Sequence, residues 1–389
     1  MALTEQSTLA RPDRFLCCSG LLKIAQRRRS GEAFTQSLPL RIMLPFFLRN
    51  WFALSLPLAV ALAWVIPDLG SADGPLKTSI TTKAGVALIF LIQGLTLPST
   101  SLRQGLSQWR LHLLVQSFTF LVFPVMGIVL DRLAGGWLAP DLRLGFLYLA
   151  VLPSTITTSV ILTGMAGGNT VGALFNAVLS SLLGVFVTPL WVAWLMKASN
   201  QQQPLGPVIA EIVTLLLIPL VLGQLLRPVC EAWANRQKKR LGILSSAVVL
   251  FIVYAAFCNS VKQRLWTQHG LNVLLPAAGG VLLLFALAVL LTEVLARALS
   301  LTRPDLIAAR CCAPQKTLAS GVPMAKIIFG AHPGLGLILL PVLLYHPLQL
   351  IVCGALASRW GRQSALPGTP VEGASAASET PHPTKNRPA

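Results

Sequence analysis

Apolar stretches of about twenty residues recur from residue 44 to residue 357, separated by short polar or basic segments. A membrane-crossing helix needs about 20 mainly apolar residues. The pattern predicts ten spans, over 44–66, 80–98, 109–130, 143–166, 170–196, 208–227, 243–260, 271–297, 305–329 and 333–357. The last residues, "SALPGTPVEGASAASETPHPTKNRPA", are rich in Pro, Ser and Ala and carry no apolar period, which predicts a disordered tail over 363–389. The fold class expected is an all-α polytopic membrane protein.

Two spans break the pattern. Span four carries "LPSTITTSVILTGMAGGN" and span nine carries "CCAPQKTLASGVPMAKIIFG". Both are interrupted by Pro, Gly and hydroxyl residues, and both fall fourth in a set of five. Spans five and ten each hold a proline at matching depth, in "FVTPLW" and "LYHPLQ". Ten spans divide as five plus five, and an odd number per half inverts the second half. Paired interrupted helices in the two halves are the sequence mark of a secondary-transporter site, although membrane helices also carry Gly and Pro for packing alone. The expected domains are a basic extension over 1–42 that is disordered or not translated, five-helix repeats over 43–197 and 198–362, and the tail.

Composition agrees. The chain is 54% hydrophobic and 11% charged, against about 25% charged for a soluble domain. Its net charge of +18 suggests nucleic acid only until the basic residues are placed. With the N-terminus cytoplasmic, 21 Lys and Arg fall in inside segments and 7 in outside ones. That is the positive-inside signature, so both termini are expected in the cytoplasm and the protein in the cell (inner) membrane, with no nucleic-acid partner. The basic "QRRRS" before the first apolar run, with "AVALAW" later in it, has the outline of a signal peptide. The repeat needs that helix, however, so it is expected to be retained, with Met43 an alternative start. Seven cysteines form no CxxC pair, so zinc and redox motifs are not indicated and buried packing is.

Lys316 is the most informative polar residue. It sits near the middle of span nine, where a lysine costs roughly 2.5–3.5 kcal/mol on insertion scales. It either serves as an anion, proton or fixed-charge site or faces a loop or cavity for topology. Thr158, Ser159 and Thr163 in span four, Asn169 and Asn176 at the start of span five, Cys311, Gln315 and Thr317 beside Lys316, and Thr119 in span three complete the candidate binding set. Back-bonding, helix capping and packing are the alternative uses of these residues. His346 could relay protons or bond a neighbouring helix. No carboxylate pair, GxSxG, P-loop or His/Glu metal spacing is present, so neither an enzyme nor an ATP-driven pump is indicated.

The motifs "WRLHLL", "GFLYLAVLPSTITTSVILTGMAGGN", "SSLLGVFVTPL", "QKTLASGVPMAKIIF" and "LLPVLLYHPLQLIVC" together resemble the bile acid:sodium symporter family, solute carrier family 10, nearest its member 7 and related bacterial symporters. The likeness spans roughly 44–362. It implies a ten-helix inverted repeat in which a panel of spans 1, 2, 6 and 7 faces a core of spans 3–5 and 8–10, with spans 4 and 9 broken and crossing. It also implies sodium ligands that this chain only partly keeps. Ser159 matches a Ser and Gln315 a Gln, but Val160 stands at an Asn, Cys311 at a Glu, and Ala173 and Ala177 at hydroxyl positions. Losing an anionic ligand and gaining Lys316 disfavours sodium; charges about 4 Å apart interact by some 4 kcal/mol at an effective dielectric of 20. The expectation is therefore a secondary transporter of a small organic solute, an anion, with Lys316 in place of sodium. Coupling stays open between Na⁺, H⁺ and none, no other cofactor is expected, and the oligomeric state is not encoded legibly. A membrane regulator or receptor that retains the fold is the alternative.

Overall fold

The computed structural model describes residues 51–71, 74–97, 108–198, 210–211, 213–263, 271–330 and 332–364. The expected extension 1–42, the Met43 start, the first residues of span one and the tail from 365 lie outside them. Every regular element among the described residues is helical. Among the described residues six helical stretches, Thr78–Thr96, Trp109–Trp137, Thr170–Leu195, Val213–Lys262, Val273–Ala298 and Leu335–Arg362, are long and apolar enough to cross a membrane. Leu58, Leu121, Leu190, Leu225 and Leu290 are each more than half exposed. Burying such a side chain is worth about 1.5–3 kcal/mol, so lipid rather than water is the solvent this surface fits. The chain is a polytopic membrane protein.

In chain order the helices are α1 (Trp51–Val65), α2 (Pro67–Gly70), α3 (Thr78–Thr96), α4 (Trp109–Ser117) and α5 (Phe123–Ala134). They continue as α6 (Pro140–Val151), α7 (Thr157–Met165), α8 (Thr170–Ala198), α9 (Ile218–Lys262), α10 (Leu271–Ala298), α11 (Arg303–Cys312), α12 (Leu318–Ile328) and α13 (Leu335–Ser364). A π-helical segment, Phe118–Val122, joins α4 to α5.

Spans six and seven are expected as separate helices, yet helical structure runs unbroken through α9. It cannot be straight. A Cβ on Gly94 of α3 would lie 3.0 Å from Gly223 Cα, and one on Gly85 would lie 2.6 Å from Val248. Gly223 and Val248 would stand about 37 Å apart along a straight helix, while Gly85 and Gly94 are only about 13 Å apart, at 1.5 Å per residue. Glu211 pairs with Lys83 before the Gly94–Gly223 contact, whereas Tyr254 bonds Ile66 O and Lys262 pairs with Asp68 after it. The two arms of α9 thus run in opposite directions along α3. Glycine on both sides of the α3–α9 crossing lets the backbones meet, as small residues do where helices pack in lipid.

The rest wraps a second centre. Helix α6 packs on α13, α5 and α8; α7 packs on α8, α11 and α13; α11 packs on α10 and α4. Phe118, Phe123, Phe146, Tyr148 and Tyr345 are fully buried among these helices. Their aromatic edges meet, with Tyr345 centred 6.0 Å from Phe123 and 5.5 Å from Phe285.

Candidate functional site

Prolines set the two breaks. Helix α6 stops at Val151 because Leu152 precedes Pro153, and the residue before a proline is driven out of the helical region; Leu152 has φ −70 and ψ 149. Helix α11 stops at Cys312, two residues before Pro314, and the chain stays open until Thr317, at φ −84 and ψ 129, starts α12. The breaks, 152–156 and 313–317, meet each other. Thr317 N–H donates to Pro153 O at 2.9 Å, and Ser154 Oγ donates to Cys312 O at 2.6 Å.

An unpaired backbone group in hydrocarbon costs several kcal/mol, so the loose ends must find partners. Thr188 Oγ1 donates to Val151 O at 2.8 Å and Tyr345 OH to Pro314 O at 2.5 Å. Ser154 N–H, which would have continued the ladder to Ala150, donates to Ser180 Oγ at 2.9 Å. Gln349 takes both main-chain groups of Lys316: Oε1 accepts its N–H at 2.8 Å, and Nε2 donates to its carbonyl at 2.8 Å.

Neighbouring side chains at the second break reach different helices. Gln315, fully buried, accepts at Oε1 from Thr155, Thr158 and Ser159, at 2.5, 2.8 and 3.2 Å. These hydroxyls lie in the first break and the opening turn of α7; of the four residues in the cluster, Thr158 is half-buried and the others are buried. Lys316, 1% exposed, instead sends Nζ to Leu152 O at 2.7 Å, Ala150 O at 2.8 Å and Thr119 O at 3.1 Å. Its nitrogen stands 4.1 Å from the centroid of the Phe123 ring. Three acceptors and a ring face match –NH₃⁺, which has three donors and no acceptor. Hydrogen bonds to a charged group contribute about 1.5–3 kcal/mol each and a desolvated cation–π contact about 2. These contacts offset the cost of placing a lysine at the centre of a membrane helix, roughly 2.5–3.5 kcal/mol on insertion scales, with no carboxylate among them.

The third carbonyl is available because of Pro124. Lacking an N–H, Pro124 leaves Phe120 O without its helical donor, and Phe123 N–H reaches back five residues to Phe118 O. That π-register step releases Thr119 O as well. Lys316 takes Thr119 O, and Trp191 Nε1 takes Phe120 O at 3.0 Å.

The residues singled out in the sequence separate into two groups. Thr119, Thr158, Ser159, Gln315, Lys316 and Thr317 converge on the crossing, and Cys311 is buried in the turn before it. Thr163 back-bonds to Ser159 O at 2.7 Å. Asn176 bonds Gly172 O and accepts from Gln116 Nε2 at 3.1 Å. Asn169 accepts from Gly172 N–H at 2.8 Å as a helix cap and donates to Asp305 at 2.7 Å, tying the starts of α8 and α11. His346 bonds Gln349 at 3.0 Å and meets Phe52 edge-on at 6.0 Å. Sequence reasoning passed over Gln349, Tyr345, Thr188 and Ser180. Two of them carry a sequence signal: Tyr345 and Gln349 are four apart, on one face of the apolar first part of α13. Among the described residues no group of three or more His, Cys, Asp or Glu could hold a metal, so a cation here would rely on neutral oxygens.

The profile of the SBF-like CPA transporter family matches residues 50–362. An uncharacterised protein of Pseudomonas aeruginosa is 38% identical over 319 residues, covering 82% of this chain and 95% of that protein. The candidate symporter YfeH of Escherichia coli strain K12 is 36% identical over 313 residues, 80% of this chain and 93% of that one. Sodium/bile acid cotransporter 7 of Rattus norvegicus is 33% identical over 318 residues, 79% of this chain and 91% of that one.

Proposed function

Because the chain belongs to the SBF-like CPA transporter family, it is a membrane transporter and not an enzyme, and we propose that it carries a small organic anion without drawing on a sodium gradient. The observation that carries this reading is the Lys316 ammonium, spent on three carbonyls at the crossing with no carboxylate among its partners. A resident charge there leaves sodium's work already done. Helices α7 and α12 both begin at the crossing, and helix N-termini favour negative charge. The hydroxyl–amide cluster of Thr155, Thr158, Ser159 and Gln315 is the polar surface a solute would meet.

In this reading α1, α3 and the arms of α9 form a panel, and the remaining helices form a core that moves against it, ten spans in two inverted repeats. The packing supports the division in part, since the arms of α9 lie on α3 and α1 while α6, α7 and α11 gather with α4, α8, α10 and α13; α12 bridges the two sets, packing on α9 and α3 as well as on α13. Both termini lie in the cytoplasm and the protein sits in the cell (inner) membrane, as the basic residues indicate.

The test is uptake into proteoliposomes of a library of organic carboxylates and sulfate esters, with sodium and proton gradients imposed separately. Wild type should take up anions equally with sodium or choline outside, and Lys316→Ala should lose that uptake. Uptake driven by sodium would overturn the reading.

A further inference from the structure

The surroundings of the Lys316 nitrogen have the composition of an ion site. We propose that Thr119 O, Ala150 O, Leu152 O and the face of Phe123 form a monovalent-cation site whose resident is the Lys316 ammonium, and that a free ammonium or potassium ion enters it when that group is removed.

Four observations converge. The oxygens are main-chain carbonyls, the ligand type that replaces the hydration shell of alkali cations in selective pores. Each belongs to a region where the helical ladder is interrupted: Thr119 by the π-register step, Ala150 by diversion of Ser154 N–H to Ser180, and Leu152 by Pro153. They come from two elements and are held there by partners other than Lys316. Trp191 bonds the next carbonyl at Phe120, Thr188 bonds Val151 O between the other two ligands, and Thr317 N–H bonds Pro153 O. The cage should therefore outlast loss of the lysine side chain. Finally, Phe123 presents a ring face 4.1 Å away, which suits a weakly hydrated cation, and the Thr119 hydroxyl is fully buried without a partner. No carboxylate contributes, so the cage carries only carbonyl and ring partial charges, matched to a single positive charge.

Size decides which ion fits. The oxygens are spaced for N⁺–H···O contacts of 2.7–3.1 Å. Potassium and ammonium are close in size; sodium and lithium are smaller, hold water more strongly and would need the cage to contract. This inference rests on the proposal that Lys316 occupies the place of a coupling ion, but its test does not read transport, so failure here and failure of the sodium-independent reading are separable.

The experiment compares thermal melting of purified wild type, Lys316→Ala and Lys316→Met in ammonium, potassium, sodium, lithium and choline chloride at constant ionic strength. Lys316→Ala should melt a few degrees higher in ammonium or potassium than in choline, saturably, with lithium ineffective. Wild type should not respond, because its site is filled. Lys316→Met, whose side chain occupies the cage, should fold and not respond either. If Lys316→Ala is unstable, its recovery as a monodisperse species should require ammonium or potassium during purification. Equal melting of Lys316→Ala in all five salts overturns the proposal, as does equal response of Lys316→Met, or failure of Lys316→Ala to be recovered in any salt.

Discussion

Gln349 offers the sharpest test of how the broken helices are held. Replacing it with Met keeps the side chain unbranched and of similar volume, so no large cavity opens. What is lost, besides a 3.0 Å bond to His346, is the amide that holds Lys316 at both its N–H and its carbonyl, each at 2.8 Å. Both main-chain groups are buried, and a stranded buried polar group costs about 1–3 kcal/mol, or about 2–6 kcal/mol for the main-chain pair alone. Hydrogen bonds measured between membrane helices are weaker, about 0.6–2 kcal/mol, because groups left behind in a membrane protein find other partners. The lower end applies, and Gln349→Met should lose about 2–3 kcal/mol of unfolding free energy in detergent. Ser246→Ala is the control, since that hydroxyl is an exposed back-bond to Gly242 O and should change nothing measurable. Equilibrium unfolding of the purified proteins, followed by far-UV circular dichroism, reads both. A Gln349→Met protein within about 0.5 kcal/mol of wild type would mean that Lys316 and its helices are positioned by packing alone, and the backbone accounting at the crossing would be wrong.

Two further outcomes follow from the same accounting. Pro124→Ala restores an N–H to the donor-poor segment, so Phe120 O no longer depends on Trp191; Trp191→Phe should cost about 1 kcal/mol in wild type and close to nothing in the Pro124→Ala background, and additive losses in the double-mutant cycle would reject the π-segment argument. Gly223→Val puts a Cβ 2.4 Å from Leu91 O and 2.9 Å from Gly94 Cα, forcing α3 from α9 at a cost of at least about 1–3 kcal/mol, and an unchanged melting temperature would show that this crossing is loose.

Some of this molecule was legible from its residues alone. Apolar runs mark membrane helices because lipid rewards a continuous apolar surface and forbids unpaired backbone, which is a local property of the chain. Pro153 and Pro314 announced the breaks, because a proline acts on its own ring and its immediate neighbour. Gln315 and Lys316 stood out for the same reason: a polar side chain at membrane depth has to have a purpose. The continuity of α9 between its arms was not legible, since a basic, Pro-containing stretch reads as a loop whether or not its hydrogen bonds persist.

What the sequence could not supply is direction. Gln315 and Lys316 are adjacent, yet one turns to the hydroxyls of α7 and the other to carbonyls of α6 and the π segment. Which way each points depends on hydroxyl donors for Gln315 and carbonyl acceptors for Lys316, contributed by residues more than 150 positions away, and only packing brings these to the same place. Residue spacing marked a charge in the middle of the bilayer; the tertiary structure decided that three carbonyls and an aromatic ring, rather than a carboxylate or a solute, would neutralise it. Burial requires compensation, but which groups provide it is a long-range property of the fold.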